Sequence, residues 1–167
     1  MTPIVLQPNP KLDLVLERDL DVSAELFWKA WTTPEHLMPW FCPRPWTTIE
    51  CEIDLRPGGI FATTMQSPEG QKFPSNGCYL EVTPLKRLIW TNMLLPGFRP
   101  TEKPATDSLE LYFTAALEIE PKGKGIHYRA MALHRDPGDR KTHEDMGFHD
   151  GWSTCADQLV EYVKAHM

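Results

Sequence analysis

The chain has 167 residues, of which 41% are hydrophobic and 24% are charged, and these values are typical of one globular domain with a substantial core. Its formal net charge is −6 and its lysines and arginines form no cluster, so we expect no nucleic-acid partner. No apolar run reaches the roughly 18 residues that a membrane-spanning helix needs, so we expect no membrane insertion. The first residues lack a basic region, so we also expect no signal peptide.

The cysteines give an indication of the compartment. They are widely spaced and form no C-x-x-C pair: Cys42, Cys51, Cys78 and Cys155. Isolated cysteines of this kind are typical of reduced thiols rather than of a disulfide framework. We therefore expect the protein to be cytoplasmic.

The first third of the chain predicts an arm, a strand and two short helices. Residues 1–11 contain three prolines and are predicted to be a flexible arm, and residues 12–167 are predicted to be a single domain. Residues 12–17 alternate and predict the first strand. A short helix follows over residues 22–31, with Ser23 as a credible N-cap, and a second begins at Pro34.

The middle of the chain predicts strands joined by short turns. The apolar alternation and the Gly- and Pro-containing turns place them at residues 48–55, 60–66, 77–82, 87–94, 109–120 and 126–135. In the first of these strands, alternation puts four side chains on the inward face: Ile49, Cys51, Ile53 and Leu55. Residues 96–107 lack periodicity and predict a long loop, of a kind that often forms the lid or rim of a site.

The C-terminal run predicts a long amphipathic helix that ends near His166. Its apolar residues recur at steps of three and four: Phe148, Trp152, Cys155 or Ala156, Leu159 and Val163. Gly147 and Gly151 each cost roughly 1 kcal/mol relative to Ala within a helix, which suggests a close approach to another backbone. We expect the deeper half of the stripe to be core and the Phe148–Trp152 end to border a cavity. Antiparallel strands with one helix covering a single face give an α+β fold.

Motifs for hydrolytic or metal chemistry are incomplete. The sequence contains no G-x-S-x-G element. His143 and Glu144 begin like the zinc motif H-E-x-x-H, but Gly147 stands where the second histidine is required. We therefore expect no metal site and no cofactor.

Several motifs occur together in an order that is typical of a known family. They are AWTTPEHL at residues 30–37, WFCP at 40–43, DLRPGG at 54–59, GCYLEV at 77–82, RLI at 87–89 followed by Thr91, and Gly151-Trp152. Over roughly residues 12–165 the chain resembles the SRPBCC superfamily (START-like, helix-grip fold). Within that superfamily it is similar to the group named after the C-terminal domain of the activator of heat-shock-protein-90 ATPase.

The resemblance implies a curved antiparallel sheet of about six or seven strands that grips the C-terminal helix around a cavity. The chain departs from the family pattern at Phe41 and Cys42, where the family usually has Trp and Gly. In residues 77–82 the family pattern keeps Gly77, Tyr79 and Glu81, whereas alternation alone would point the intervening residues inward. Both orientations of that strand stay open at this point.

The resemblance also implies a function, because related groups bind lipids, hormones, polyketides and other apolar molecules. We expect the cavity to bind a small hydrophobic or amphipathic ligand, since such sites combine apolar walls with a few polar groups. The candidate ligand-binding residues are Trp40, Trp46, Met65, Trp90, Phe113, Phe148 and Trp152 for the wall, and Tyr79 and His134 for polar contacts. A second copy of this chain, in a homodimer, is a further expected partner.

Two alternatives accompany this prediction. The first is a chaperone-cofactor role that acts through the surface of the protein. The second is a polyketide cyclase or aromatase-like reaction, with His134 as the candidate general acid or base. We favour a binding protein over an enzyme and expect His134 to be structural, with protein groups occupying both of its ring nitrogens.

Overall fold

The computed structural model describes residues 4–102 and 111–167 and contains one large antiparallel sheet. Its elements are β1 (Asp13–Leu20), α1 (Ala24–Thr32), α2 (Pro34–Leu37), β2 (Thr47–Ile53), β3 (Ile60–Gln66), β4 (Lys72–Thr83), β5 (Arg87–Thr91), β6 (Leu94–Leu95), β7 (Arg99–Pro100), β8 (Thr114–Lys122), β9 (Gly125–Leu133), α3 (Pro137–Asp145) and α4 (Phe148–His166). The seven strands of the sheet lie in the order β1-β9-β8-β5-β4-β3-β2, and β6 pairs with β7 separately. The sheet curves and the long α4 covers its concave face, which confirms the predicted α+β helix-grip fold.

The start of α1 follows from local chemistry. Ser23 has an extended backbone, and its side-chain oxygen accepts a hydrogen bond from the Leu26 N–H at 3.2 Å. This is the N-cap that the sequence predicts, and it pairs one of the amide groups that a helix leaves unpaired at its start. Pro34 occupies the first turn of α2, where its missing N–H costs nothing.

A bulge in β2 makes one part of the strand prediction wrong. Its register against β3 shifts between Thr48 and Glu50. The alternation of inward and outward side chains before the shift is therefore out of step with the alternation after it. Thr48 is buried, while Ile49, which alternation placed inward, is 36% exposed. Leu55, which was also expected to point inward, lies beyond the end of the strand at Ile53 and is 37% exposed. Cys51 and Ile53 pack against the core as predicted.

A second bulge resolves the open orientation of β4. Gly77 and Tyr79 are buried, in agreement with the family pattern, and Tyr79 belongs to the core beneath the sheet. The register against β5 then shifts between Tyr79 and Glu81. As a result Val82 packs against the same core, whereas the Glu81 carboxylate pairs with the Arg87 guanidinium at 2.7 Å. Both sequence patterns are therefore correct for different parts of the strand.

The predicted strand over 109–120 begins later, at Thr114. Its inward residues Ala115, Leu117 and Ile119 are buried as predicted, but Leu109 lies outside the described residues. In the predicted loop, Arg99–Pro100 pairs with Leu94–Leu95, and residues 103–107 are likewise outside the described part.

Before β1, the chain runs along other elements of the fold. The Ile4 carbonyl accepts a hydrogen bond from Arg87 at 2.6 Å, and the Leu6 carbonyl accepts one from Arg129 at 3.2 Å. The flexibility of this arm and the domain limits at residues 11 and 12 stay predictions. No helix in the described part of the chain is long and apolar enough to cross a membrane.

The two glycines near α4 have roles that differ from the predicted close backbone approach. Gly147 separates α3 from α4 with a φ of 92°, a left-handed conformation that glycine adopts without steric cost. Gly151 lies within α4, but a Cβ added there would meet no atom within 4 Å. The prediction of a tight backbone contact is therefore wrong, and Gly151 faces open space.

The stripe of α4 is buried as predicted. Leu159 is 1% exposed and lies in the main core with Ala156 and Val163, whereas the polar residues of the opposite face are exposed: Asp150, Asp157, Glu161 and Lys164. Sequence periodicity did not identify Gln158, which is buried beside Leu159.

Gln158 ties the loop after α2 to the long helix. Its amide nitrogen donates to the Trp40 and Cys42 carbonyls at 3.2 and 2.8 Å, and its amide oxygen accepts from the Arg44 N–H at 3.0 Å. One side chain thus satisfies three backbone groups of a segment that has no ladder of its own. Leaving such groups unpaired in the interior would be costly.

Replacing this side chain tests its contribution. We expect Gln158→Leu to lower the free energy of unfolding by on the order of 3 kcal/mol, because buried backbone groups lose their partners. Urea denaturation followed by circular dichroism measures the change. Thr154→Leu, at an exposed position of the same helix, should stay within about 0.5 kcal/mol of wild type. Equal denaturation midpoints for Gln158→Leu and wild type would show that the loop does not depend on Gln158.

Candidate functional site

A cavity of about 460 Å³ lies between the concave face of the sheet and the N-terminal half of α4. This volume is within the range of small-molecule sites. Ten of the residues that line it are aromatic and come from the helices, the sheet and the connecting loops: Phe27, Trp31, Trp40, Phe41, Phe61, Trp90, Phe113, Tyr128, Phe148 and Trp152. The cavity is therefore an apolar space with rigid sides.

The aromatic rings hold one another in place. The Trp31 ring lies 4.7 Å from Trp40 and 5.5 Å from Trp90, measured between centroids. Trp152, on α4, lies 5.3 Å from Phe148 and 6.4 Å from Trp90 on the sheet. Edge and offset contacts at these distances are favourable, so the rings stabilise one another's positions in the wall.

Two glycines that line the cavity have different surroundings. A Cβ at Gly77 of β4 would lie 2.7 Å from the Thr91 carbonyl oxygen, so only glycine fits where β4 passes β5. Gly151 leaves a gap on the opposite side, on the face of α4 that lines the cavity. The exposed residues Met146 and Ser75 also line the cavity and mark where it reaches solvent.

The polar groups of the described wall are few, and the buried Trp31 indole N–H has no hydrogen-bond partner among the described residues. The Asn92 side chain donates to the Leu111 carbonyl at 2.7 Å and accepts from the Phe113 N–H at 3.0 Å. Burial raises the pKa of the Cys155 thiol to about 12, so the thiol is neutral at physiological pH. No aspartate, glutamate, lysine or arginine is among the described residues that line the cavity.

His134 does not reach the cavity, but it contacts a histidine that does. Its Nδ1 lies 2.7 Å from the Leu12 carbonyl oxygen and its Nε2 lies 2.9 Å from Nδ1 of His143. The prediction that protein groups occupy both ring nitrogens of His134 is therefore confirmed. Burial is the larger of two causes that lower the pKa of His143 to about 4, and the nearby His134 ring is the second.

Most of the predicted wall residues are brought together. Six of them line the cavity: Trp40, Met65, Trp90, Phe113, Phe148 and Trp152. Trp46 lies outside it, 37% exposed, with its ring 5.3 Å from Phe73. Tyr79 is fully buried behind the wall and stacks on Phe61 at 5.3 Å, where burial raises the pKa of its hydroxyl. As ligand contacts, all of these residues stay predictions.

Sequence reasoning missed several residues of the wall. Phe27 and Trp31 are four apart in α1, and this helical spacing was available as a signal for a shared face. His143 and Met146 were missed because the sequence analysis did not separate α3 from α4. Among residues 4–102 and 111–167, no three His, Cys, Asp or Glu side chains are grouped so that they could hold a metal ion.

Comparison with known proteins supports the fold and the family. Residues 21–164 match the family described as Activator of Hsp90 ATPase homolog 1-like protein. A crystal structure of a protein from Nitrosomonas europaea is 48% identical, with 95% of this chain and 97% of that chain covered and a TM-score of 0.88. A search among proteins of curated function finds no match.

More distant structures share the fold alone. A protein from Rhodobacter sphaeroides is 21% identical over 96% of this chain and 98% of that one, with a TM-score of 0.79. An AHSA1-like protein from Aeromonas hydrophila is 18% identical over 92% and 93% of the two chains, with a TM-score of 0.64. Because the family match extends from before α1 to the last turns of α4, the chain belongs to the Activator of Hsp90 ATPase homolog 1-like family of the SRPBCC superfamily.

Proposed function

We propose that this protein binds a small hydrophobic or amphipathic molecule in the cavity between the sheet and α4. The observation that supports the proposal is a cavity of about 460 Å³ whose wall includes ten aromatic side chains. Burial of apolar ligand surface against such a wall contributes roughly 25 cal/mol per Å². The rigid rings also reduce the ordering cost of binding, because the site is largely preformed.

The charge distribution supports an apolar ligand rather than an ionic one. The described residues of the wall carry no side chain that is charged at neutral pH, so a buried ionic group would have no partner. A charged group on an amphipathic ligand would therefore lie at the opening beside Met146 and Ser75, where water is available. Methionine at the opening suits ligands of different shape, because its side chain is flexible and polarizable.

A binding role also agrees with the position of His134. The cyclase alternative assigns acid–base chemistry to this residue, and such chemistry requires a ring nitrogen that substrate or a water molecule reaches. Both nitrogens of His134 are occupied by Leu12 and His143. The hypothesis of catalysis by His134 therefore has no support from the geometry.

Fluorescence titration tests whether the cavity takes a ligand. We expect the native protein to bind the dye ANS at a stoichiometry near one, because a cavity of about 460 Å³ takes one small molecule. Tryptophan emission should change at the same time, since Trp31, Trp40, Trp90 and Trp152 line the cavity. If ANS binds only to partly unfolded protein, the interior excludes ligands, and a chaperone-cofactor role through the surface becomes the favoured function.

Filling the cavity from Gly151 distinguishes cavity binding from surface binding. Because Gly151 borders open space, we expect Gly151→Leu to place its side chain in the cavity and to weaken ANS binding at least tenfold. The melting temperature should not fall, since leucine is favoured over glycine in a helix by up to about 1 kcal/mol. Gly151→Ala is the matched control, because it gains helix propensity but adds only one methyl group. Unchanged ANS affinity in Gly151→Leu would place the dye elsewhere on the protein.

A further inference from the structure

The pair formed by His134 and His143 lies where α3 meets the end of the cavity. His143 is 8% exposed and lines the cavity, while His134 is 7% exposed and lies behind it. The two rings are joined edge to face, with Nε2 of His134 2.9 Å from Nδ1 of His143. The Leu12 carbonyl oxygen completes the row at 2.7 Å from Nδ1 of His134.

The carbonyl at one end determines where the protons lie. A carbonyl oxygen only accepts, so Nδ1 of His134 carries a hydrogen and donates it to Leu12. In a neutral imidazole the second nitrogen then has no hydrogen, and Nε2 of His134 accepts. Nδ1 of His143 must therefore donate to it. The remaining nitrogen, Nε2 of His143, is left with a lone pair and no hydrogen.

Both rings are neutral for a physical reason. Neither forms a hydrogen bond or ion pair with a carboxylate among the described residues, and an uncompensated charge at such buried positions would be costly. The lowered pKa of His143 agrees with this geometry. The order of donors and acceptors along the row is consequently fixed by Leu12.

The free nitrogen is available to a ligand. Nε2 of His143 has no hydrogen-bond partner within the described residues, and it is not among the fully enclosed polar atoms that lack one. The ring is held between Phe113, with centroids 4.6 Å apart, and Phe148, with centroids 5.2 Å apart. An acceptor with a fixed position thus lies at the edge of a mostly apolar cavity.

We propose that His143 makes the cavity select ligands that carry a hydrogen-bond donor, a hydroxyl group above all, over analogues that offer only acceptors. The inference rests on the proposed function, because it concerns the polar end of a ligand bound in the same cavity. An alcohol or phenol donates its hydrogen to Nε2 of His143. An ether, ketone or carboxylate in the same place would instead bring a lone pair on its oxygen against the lone pair on Nε2 of His143.

Other polar groups of the wall do not favour ligands that donate a hydrogen bond over ligands that only accept one. Thr63 and Ser75 line the cavity from β3 and β4, and a hydroxyl group accepts as readily as it donates. The Asn92 amide is committed to backbone groups at both ends. The Trp31 indole N–H, a buried donor without a protein partner in the described chain, favours acceptors, whereas Nε2 of His143 accepts and therefore favours donors.

A pair of matched ligands measures the selection. p-Octylphenol and its methyl ether, p-octylanisole, share an apolar body, and only the phenol donates. Dissociation constants for both are compared in wild type, His143→Asn, His143→Gln and Thr63→Val. Asparagine keeps a donor near the Nδ1 position for His134 but offers nothing near Nε2, whereas glutamine returns an amide to that position.

We expect the preference for phenol over ether to fall about fivefold in His143→Asn, the size of one hydrogen bond, and to recover partly in His143→Gln. Thr63→Val, which removes a hydroxyl group of β3 from the wall, should keep the wild-type preference. In the wild-type protein, long-range proton–nitrogen NMR should show a shift of His143 Nε2 with the phenol and none with the ether. This readout requires no variant to fold.

The outcomes separate the two proposals. If neither compound binds, the proposed function fails. If both bind and the phenol preference is the same in wild type and His143→Asn, with no shift of Nε2, the inference about His143 is overturned while the binding function stands. Loss of the preference in Thr63→Val alone would overturn it as well, because the donor would then be recognised from β3.

Discussion

The apolar face of α4 is the constraint on which the rest of the structure depends, because a helix with such a stripe is stable only when the stripe is covered. The sheet curves to cover it, but it covers the two halves differently. Around Val163 the helix and sheet pack as core. Around Gly151 the helix surface recedes, and the large rings of Trp90 and Trp152 meet across a gap that they do not fill. One helix therefore supplies both the stability and the cavity.

The cavity also needs a wall on the side where no strand runs, and this wall is a loop. Trp40 and Cys42 belong to a segment between α2 and β2 that has no regular hydrogen bonding. Gln158 replaces the missing ladder with its own amide group, and it lies one residue before Leu159 on the helix. The polar residue that interrupts the stripe thus positions the aromatic residues that complete the site.

The sequence predicted what depends on local pattern and failed where pairing decides. The stripe of α4, the cap at Ser23 and the turns between strands follow from spacing and turn chemistry. The bulges after Thr48 and Tyr79 do not, because a shifted register is a property of two strands and not of one. Predicting Gly147 within a helix concealed the separate α3 and with it His143. The sequence periodicity therefore could not predict the polar end of the cavity.

The polar end and the apolar wall follow from the same physics. A charged residue in the wall would recognise a ligand strongly, but burying it without a partner would destabilise the fold. A row of two neutral imidazoles avoids that cost, since each internal hydrogen bond is satisfied and only one nitrogen is left over. The Leu12 backbone, at the entrance to β1, sets the tautomer of both rings without contacting the cavity itself. In the proposed function, recognition of the polar end of a ligand thus depends on the Leu12 backbone carbonyl and on the two histidine rings hydrogen-bonded in a row with it.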